Sequence, residues 1–532
     1  MRRRLPVGIQ DFAKIREGGY CYVDKTARVH ELVTGAAGPV FLSRPRRFGK
    51  SLLCSTLGAL FEGRRDLFGG AAGRPALAID ALEWGWEKYP VIRLDLNPGN
   101  YTEGADVLKA VLRNLLSNAA SGAGIVLRGE LLPDQFGNLI RDMAGQTGQK
   151  TVVIIDEYDK PLLTTIDMPD IHKKTREELK AFYGVLKSLD ACLQLVFLTG
   201  VTKFSQVSVF SDLNNITDIS LNPAFYDLCG ITQEELERDF ACEIARICEA
   251  KNTDRKAYLD EVKRFYNGYR FSRKPETVYN PFGLWNHFNE EGEFNTYWFT
   301  TGTPSFLISL IEEQKVDILN LEKAAFTFAG LQKFNVDNMD ALAVLYQTGY
   351  LTIAGYDEEF NEYSLDYPNE EVRSAFAEAL LEQYVRAPGQ DVNALAVKLP
   401  KALAKGDIEG ALEMLPLFLA SIPYDIQLKD EKYYQTVVHL IFRMLGLRCR
   451  SEVRIAAGRI DTLVETGKYV YCFEFKLDGT AEEALAQIDS KNYLLPWEGN
   501  GKRLVKVGVS FDYGKRNVGE WKIEDRTKHT GH

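Results

Sequence analysis

A glycine, a lysine and a serine stand together near the start of the chain, where an apolar run meets a helical pattern. Gly49–Ser51 follows the apolar run Pro39–Leu42, and the spacing of apolar residues in Ser51–Phe61 predicts a helix. In a phosphate-binding loop of this layout, backbone N–H groups surround the phosphates, Lys50 reaches the terminal phosphates and the hydroxyl binds Mg²⁺. Arg44 takes the place of the first glycine of that pattern. The segment predicts nucleotide binding, with a basic turn before an ordinary helix as the alternative.

Two further strand-like runs end in polar side chains that suit ATP hydrolysis. Val152–Ile155 is followed by Asp156 and Glu157, and Leu195–Leu198 is followed by Thr199. The first carboxylate can hold the magnesium shell, the second can orient the attacking water, and the hydroxyl can sense the γ-phosphate. A buried strand with a solvated acidic end is the alternative. We predict that Glu157 is catalytic, that Ser51 and Asp156 bind magnesium, and that ATP contacts come from Arg47, Gly49, Lys50, Ser51, Asp156 and Thr199.

A second group of carboxylates lies near the carboxyl end, in two strand-like runs, Gly458–Val464 and Tyr469–Lys476. A two-residue turn at Thr466-Gly467 would place Asp461 opposite Cys472. Side chains alternate along a strand, so Asp461, Glu474 and Lys476 would share one sheet face. The other face would carry the apolar set of Tyr469, Tyr471, Phe473 and Phe475. Two carboxylates can hold Mg²⁺ beside a scissile phosphate while a lysine positions water; a solvated hairpin is the alternative.

A capped helix is predicted to follow these runs. Thr480–Glu483 has the pattern of a capping box, and Gln487 and Lys491 then share a helix face. That face could point back at the metal site. We therefore predict Asp461, Glu474, Lys476 and Gln487 as catalytic residues, with Asp461 and Glu474 as metal ligands.

Composition places these groups in a soluble multidomain protein. The chain has 532 residues, enough for about three or four domains. No apolar run reaches the roughly 18 residues that span a bilayer, and the 8 cysteines form no CxxC pair, which favours reduced thiols in the cytoplasm. The net charge is −10, but residues 428–532 carry 18 Lys and Arg against 15 Asp and Glu. The carboxyl-terminal part is thus the part best suited to a phosphate backbone.

The order of elements predicts an α/β multidomain fold. Strand-like runs alternate with helical patterns up to about residue 230, which indicates a parallel sheet covered on both faces. A helical stretch follows and leads into a hairpin that suits a winged-helix-like unit. We predict a P-loop ATPase domain at 1–230, a helical and winged-helix-like region at 231–376, a helical connector at 377–427 and an α/β nuclease-like domain at 428–532.

Several longer strings carry a family resemblance: Gly8–Phe12, Tyr22–Thr26, Arg44–Ser51, Ile155–Asp159, Thr199–Ser205, Tyr269–Phe271, Tyr279–Phe282, Thr301–Phe306, Gly458–Asp461 and Phe473–Lys476. On these strings the chain resembles the prokaryotic predicted AAA-ATPase-like proteins that are fused to a PD-(D/E)XK nuclease-superfamily domain. The resemblance covers nearly the whole chain. It implies a P-loop ATPase domain, a helical and winged-helix-like middle and a restriction-endonuclease-like end, and in that family an arginine at the Arg44 position is usual.

One departure from the superfamily concerns the metal shell. Many of its nucleases add an acid from the helix before the first core strand. The helical pattern Tyr433–Leu445 carries none, and Glu431 and Glu452, outside that pattern, are the candidates.

The expected function is a cytoplasmic ATPase whose nucleotide state controls a Mg²⁺-dependent nuclease-like domain. ATP and Mg²⁺ are the implied cofactors and nucleic acid the implied partner, with DNA favoured over RNA; no membrane partner is expected and a homo-oligomer is left open. One alternative is an ATP-switched regulatory or interaction protein whose nuclease-like domain does not cut. Another is an ATPase whose carboxyl-terminal domain only stabilises an oligomer.

Overall fold

The chain divides into two compact units that interleave along the sequence. In the computed structural model, the first unit is Met1–Trp298 with Ala325–Pro368, and the second is Phe299–Ala324 with Asn369–His532. The structure describes residues 4–71, 74–203, 215–301, 305–314, 316, 318, 325–332, 340–385, 389–422, 431–444, 450–452, 460–476, 479–499, 501–512, 514–515 and 517–525. Among these residues, no helix combines the length and the apolar composition needed to cross a membrane.

A five-stranded sheet forms the centre of the first unit. Its strands are β1 (Val40–Ser43), β2 (Val91–Asp95), β3 (Thr151–Asp156), β4 (Leu193–Gly200) and β5 (Thr217–Asp218), in the order β2-β3-β4-β1-β5. All neighbouring pairs are parallel, and every residue of β3 is buried. A parallel sheet buried on both faces needs apolar strands, which is why runs such as Val152–Ile155 were readable from the sequence. The predicted parallel α/β sheet is confirmed.

Helices accompany this sheet along the chain. They are α1 (Phe12–Glu17), α2 (Thr26–Gly35), α3 (Lys50–Phe61), α4 (Arg65–Phe68), α5 (Ala105–Gly122), α6 (Leu132–Thr147), α7 (Lys160–Thr164), α8 (Pro169–Gly184), α9 (Gln233–Asp239), α10 (Ala241–Lys251), α11 (Arg255–Tyr266) and α12 (Pro281–Asn289). Asn280 caps α12 by accepting from the N–H of Gly283. Strands β1, β2 and β3 are followed along the chain by α3, α5 and α7, so their carboxyl ends lie at the edge of the sheet where this architecture usually binds a ligand.

The first unit also contains a small antiparallel sheet of order β6-β8-β7. Its elements are β6 (Ala325–Thr327), α14 (Phe328–Gln332), α15 (Ala341–Thr348), β7 (Thr352–Asp357) and β8 (Glu362–Asp366). The hairpin of β7 and β8 lies where the sequence predicts one. Asp340 caps α15, and Gly349 ends it at a positive φ of 91°.

The second unit is built on a mixed sheet of order β13-β12-β11-β10-β9. Only β11 and β12 pair in parallel. Its elements are α13 (Ser305–Glu313), α16 (Glu370–Val385), α17 (Gly389–Lys405), α18 (Ile408–Ser421), α19 (Glu431–Met444), β9 (Arg450–Glu452), β10 (Ile460–Glu465), β11 (Tyr469–Lys476), α20 (Ala481–Ser490), β12 (Arg503–Asp512) and β13 (Asn517–Asp525).

The two faces of β11 are covered by different helices. Phe442 of α19 contacts the rings of Phe473 and Phe475 at 4.9 and 5.4 Å, so the predicted aromatic face is buried. On the other face, apolar residues of α20 pack against the sheet in one cluster with Leu463, Val470, Cys472 and Leu504. The predicted capping box at the start of α20 is present, with reciprocal bonds between Thr480 and Glu483. Helix α20 therefore covers the sheet face to which Glu474 belongs.

The register of β10 against β11 differs from the prediction by two residues. Glu465 pairs with Val470, not with Lys468, and Asp461 pairs with Glu474, not with Cys472. The turn is closed one residue later than expected, because the N–H of Thr466 donates to the carbonyl of Tyr469 at 2.8 Å. A shift of two residues keeps the parity of a strand, so Asp461 and Glu474 still occupy positions on one sheet face.

Candidate functional site

The phosphate loop connects β1 to α3. Two of its residues have left-handed backbone, Arg47 with φ 65° and Gly49 with φ 89°. A Cβ added to Gly49 would find no atom within 4 Å, so the space above the loop is open. Arg47 is exposed, and its guanidinium lies 4.7 Å from the ring centroid of Phe282. Ser51, in the first turn of α3, is half-buried. The loop thus combines left-handed backbone at two positions with open space beside Gly49, at the start of α3, where helix N–H groups can meet a phosphate.

The side chain of Arg44 turns out of the loop and into the protein. Its guanidinium is 1% exposed and donates to the carbonyls of Ser43, Ser220 and Phe225 at 2.9, 2.8 and 3.0 Å. It also stacks 4.1 Å from the ring centroid of Phe271. Arg44 therefore anchors the loop at the place where a glycine would give close backbone approach.

Lys50 contacts both the phosphate loop and the residue that follows β3. Its ammonium is 3% exposed and donates to the carbonyls of Arg44 and Pro45, each at 3.2 Å. The Oε1 atom of Glu157, at the end of β3, lies 3.4 Å from Nζ. The backbone of Glu157 is left-handed, with φ 55°. The structure therefore brings together the two charged groups that the sequence assigns to phosphate binding and to water activation.

Asp156 and Thr199 also meet, at the ends of neighbouring strands. The hydroxyl of Thr199 donates to Oδ1 of Asp156, and both side chains are buried. Because parallel strands end at one edge of the sheet, the two residues lie on the same side as the phosphate loop.

Two further acids, neither of them a predicted site residue, lie beside this group. Asp159 is fully buried and accepts bonds from the backbone N–H groups of Val201 and Thr202. Burial raises the pKa of Asp159 to about 6, and the charge of Glu157 adds to the rise. Asp95, the register partner of Asp156, has its pKa raised by burial and by the charges of Asp156 and Glu157. Asp95 could have been found as the acid that ends an apolar strand, whereas Asp159 lies three residues beyond the end of β3.

The carboxyl-terminal group is centred on Glu474. Its side chain is 0% exposed, and neither carboxylate oxygen has a hydrogen-bond partner among the described residues. The ammonium of Lys476 lies 3.7 Å from Oε1 and donates to Oε1 of Gln487 on α20. Glu474, Lys476 and Gln487 are thus brought together. Asp461 is placed by register opposite Glu474, and its carboxylate lies outside the described residues.

These residues fit a divalent cation. Carboxylate oxygens are the ligands that Mg²⁺ prefers, and a buried carboxylate without hydrogen bonds is costly unless a cation compensates it. Within the residues that the structure describes, no set of three or more His, Cys, Asp or Glu side chains is arranged around a metal position. Glu474 and a carboxylate at the Asp461 position would offer two ligands, and water or phosphate oxygens would have to complete the shell.

The two candidates for the superfamily's helix acid lie in different elements. Glu431, predicted to lie outside the helix, is the first residue of α19. Glu452 is in β9, where it pairs with Leu463, and it therefore occupies the same sheet face as Asp461. The prediction for Glu431 was wrong because helix boundaries are set by tertiary packing and capping, which the apolar pattern alone does not locate. Both side chains lie outside the described residues.

Helix α20 reaches the sheet beside Glu474 because the facing residue of β12 is a glycine. Gly508 is the register partner of Glu474, and a Cβ at Gly508 would lie 2.2 Å from the carbonyl oxygen of Ala481. Any larger residue would push the start of α20 away from the sheet. That shift would carry Gln487 away from Lys476.

Gly508→Ala should therefore destabilise the second unit by about 1–3 kcal/mol, the usual cost of overpacking. The change in unfolding free energy can be measured by chemical denaturation of the full chain. Gly467→Ala is the matched control, because a Cβ at that turn residue meets nothing within 4 Å. Equal midpoints for the two variants would contradict the close approach of α20.

Comparisons with known proteins identify two domains in the chain. A family model described as "Predicted AAA-ATPase" matches residues 6–210. A model of the PD-(D/E)XK nuclease superfamily matches residues 429–521. A protein of Azotobacter chroococcum mcd 1, described as an uncharacterized protein in the vnfD 5′ region, is 37% identical over 534 residues, which cover 98% of this chain and 99% of the relative. The first match contains the phosphate loop, and the second contains Glu474.

Proposed function

The chain belongs to the predicted AAA-ATPase family and carries a PD-(D/E)XK nuclease-superfamily domain near its carboxyl end, and we therefore propose that it binds and hydrolyses ATP and cuts nucleic acid under the control of its nucleotide state. Mg²⁺ bound at each site would neutralise phosphate charge and lower the pKa of a bound water. The remaining work falls to side chains of the chain itself. The observation that carries the proposal is Glu474, a buried carboxylate with both oxygens free of hydrogen bonds among the described residues, beside Lys476.

The contacts of Lys50 indicate how ATP would be received. In the structure its ammonium is bonded to two loop carbonyls and lies close to Glu157. Entry of a phosphate group would exchange these partners for phosphate oxygens, which are stronger acceptors because they are charged. Glu157 would then be released to orient water, and Thr199 would keep Asp156 in place. The exposed Arg47 stands beside the open space above Gly49 and can meet an outer phosphate.

Lys50→Ala should weaken ATP binding about ten- to a hundred-fold, because it removes a charge-assisted contact worth roughly 1.5–3 kcal/mol. Titration calorimetry with ATP and Mg²⁺ measures the change. Lys109→Ala is the matched control, since that lysine is partly exposed on α5 and paired with Glu178 at 3.0 Å. Unchanged affinity in Lys50→Ala would mean that the loop does not bind nucleotide.

In the proposed nuclease reaction, each side chain of the carboxyl-terminal site has one role. Glu474 and Asp461 would hold the cation, and the ammonium of Lys476 would position the attacking water. Gln487 fixes the direction of Lys476 through its side-chain oxygen. The basic bias of residues 428–532 supports contact with a phosphate backbone.

The deciding experiment is a cleavage assay on single- and double-stranded DNA and RNA, with Mg²⁺ or Mn²⁺, in the presence of ATP, ADP or neither. We expect metal-dependent cleavage, of DNA in preference to RNA, at rates that differ between the nucleotide states. Equal cleavage rates with ATP, with ADP and without nucleotide would refute the control of cleavage by the nucleotide state. No cleavage in any arm, with ATP bound, would favour an ATP-switched regulatory protein whose nuclease-like domain does not cut.

A further inference from the structure

The loop that follows β4 is held directly by the acidic turn that follows β3. Asp159 accepts from the N–H of Val201 at 3.0 Å, from the N–H of Thr202 at 2.6 Å and from the hydroxyl of Thr202 at 2.7 Å. Asp159 is 0% exposed. A buried carboxylate that accepts three bonds fixes the direction of the backbone groups that donate to it. We call residues 200–203 the β4 loop.

Tyr158 and Gly200 make the same junction tight. The N–H of Tyr158 donates to the carbonyl of Thr199 at 2.9 Å, and its hydroxyl donates to the carbonyl of Thr202 at 3.0 Å. A Cβ at Gly200 would lie 2.5 Å from the ring of Tyr158 and 2.6 Å from Oδ1 of Asp159. The turn after β3 and the β4 loop therefore cannot shift independently. Thr199, which donates to Asp156, directly precedes the β4 loop.

The far end of the β4 loop is held by α15. The N–H of Lys203 donates to Oε1 of Gln347 at 2.8 Å, and Nε2 of Gln347 donates to the carbonyl of Leu331 at 2.9 Å. Gln347 is 5% exposed, so these bonds are protected from water. The β4 loop is thus fixed at one end by Asp159 and at the other by Gln347.

We propose that Asp159 and Gln347 are positioning residues for ATP hydrolysis, which hold the β4 loop so that the Thr199 hydroxyl stays on Asp156. This inference rests on the proposed ATPase function. Neither residue touches the reacting atoms; both act through Thr199. Misplacement of a catalytic group by about 1 Å can cost roughly a hundredfold in rate, whereas binding by Lys50 and the loop backbone is unaffected.

Asp159→Asn is the first test. The amide keeps the shape of the side chain but turns one acceptor oxygen into a donor, which would face the N–H groups of the β4 loop. We expect kcat for ATP hydrolysis to fall about ten- to a hundred-fold, with the KM for ATP changed less than about threefold. Gln347→Met is the second variant and removes the other anchor without touching the acidic turn; it should lower kcat about three- to tenfold. Asp167→Asn, an exposed acid of the same unit, is the control.

Both variants are then combined with Thr199→Val. If the two residues act through Thr199, each should add less than about threefold to the loss already caused by Thr199→Val, because groups acting as one unit are not additive. An unchanged kcat in both single variants, or a full additional loss in the Thr199→Val background, would overturn the inference. A rise in KM with no change in kcat would also overturn it, since that is the signature of lost binding. A wild-type protein that hydrolyses no ATP would instead remove the proposed function together with this inference.

Discussion

Glu474→Gln is expected to abolish metal-dependent cleavage of nucleic acid without destabilising the metal-free protein. The amide preserves the shape of the side chain but removes the charge that would bind the cation, so the rate should fall by at least about a hundredfold. The carboxylate is completely buried, and its oxygens lack hydrogen bonds among the described residues. Replacing such a group by a neutral one relieves a desolvation cost. Cleavage rates with Mg²⁺ and melting temperatures in EDTA measure the two effects.

The matched control for this variant lies on the same hairpin. Glu465→Gln changes a carboxylate that is 27% exposed and pairs with Lys502 at 2.6 Å. It should leave the cleavage rate at the wild-type level, because Glu465 is four residues along β10 from Asp461 and its charge is paired with Lys502. A wild-type rate in Glu474→Gln would exclude Glu474 as a ligand. A large fall of its melting temperature would assign it a structural role instead.

Glu157→Gln should slow ATP hydrolysis by at least about a hundredfold, because orienting and deprotonating water contributes roughly 10²–10⁴-fold. Binding of ATP should persist or become tighter. The variant loses the ion pair of 3.4 Å that holds Lys50 in the loop, so the ammonium becomes more available to phosphate. Single-turnover hydrolysis and calorimetry separate the two quantities.

Asp156→Asn should differ from Glu157→Gln in its effect on ATP binding. It should weaken Mg²⁺-dependent binding of ATP, because Asp156 is the proposed magnesium residue. Glu178→Gln, on α8 and paired with Lys109, should change neither quantity. Equal loss of ATP binding in Glu157→Gln and Asp156→Asn would show that Glu157 supports the fold and not the chemistry.

The features that were predictable from the sequence are those with a local signal. Apolar runs ending in Asp156 and Thr199 indicated parallel strands, and Thr480 with Glu483 indicated the start of α20. Strand alternation places Asp461 and Glu474 on one face even though the predicted register is wrong by two residues. A glycine predicts a turn, but the sequence alone does not show which two residues are central in it. Here the N–H of Thr466 donates to the carbonyl of Tyr469, so the central residues are Gly467 and Lys468.

What could not be predicted depends on contacts between distant segments. The guanidinium of Arg44 bonds to carbonyls 176 and 181 residues away, which gives an apparent defect in the loop a defined role. The sequence shows that residue 159 is an acid, but it does not show that the hydrogen-bond partners of Asp159 lie 42 and 43 residues further along the chain. Such pairings leave no periodic pattern in the chain, so only the folded structure assigns them.

The polypeptide passes between its two units three times, after Trp298, after Ala324 and after Pro368. A gene shortened at Trp298 would keep the parallel sheet but lose Ala325–Pro368, which belongs to the same unit. A gene shortened at Pro368 would leave Phe299–Ala324 without the rest of its unit. No single stop codon therefore separates the two halves cleanly, and a nonsense mutation is expected to damage both. Point substitutions are the genetic change that can remove one proposed activity and spare the other.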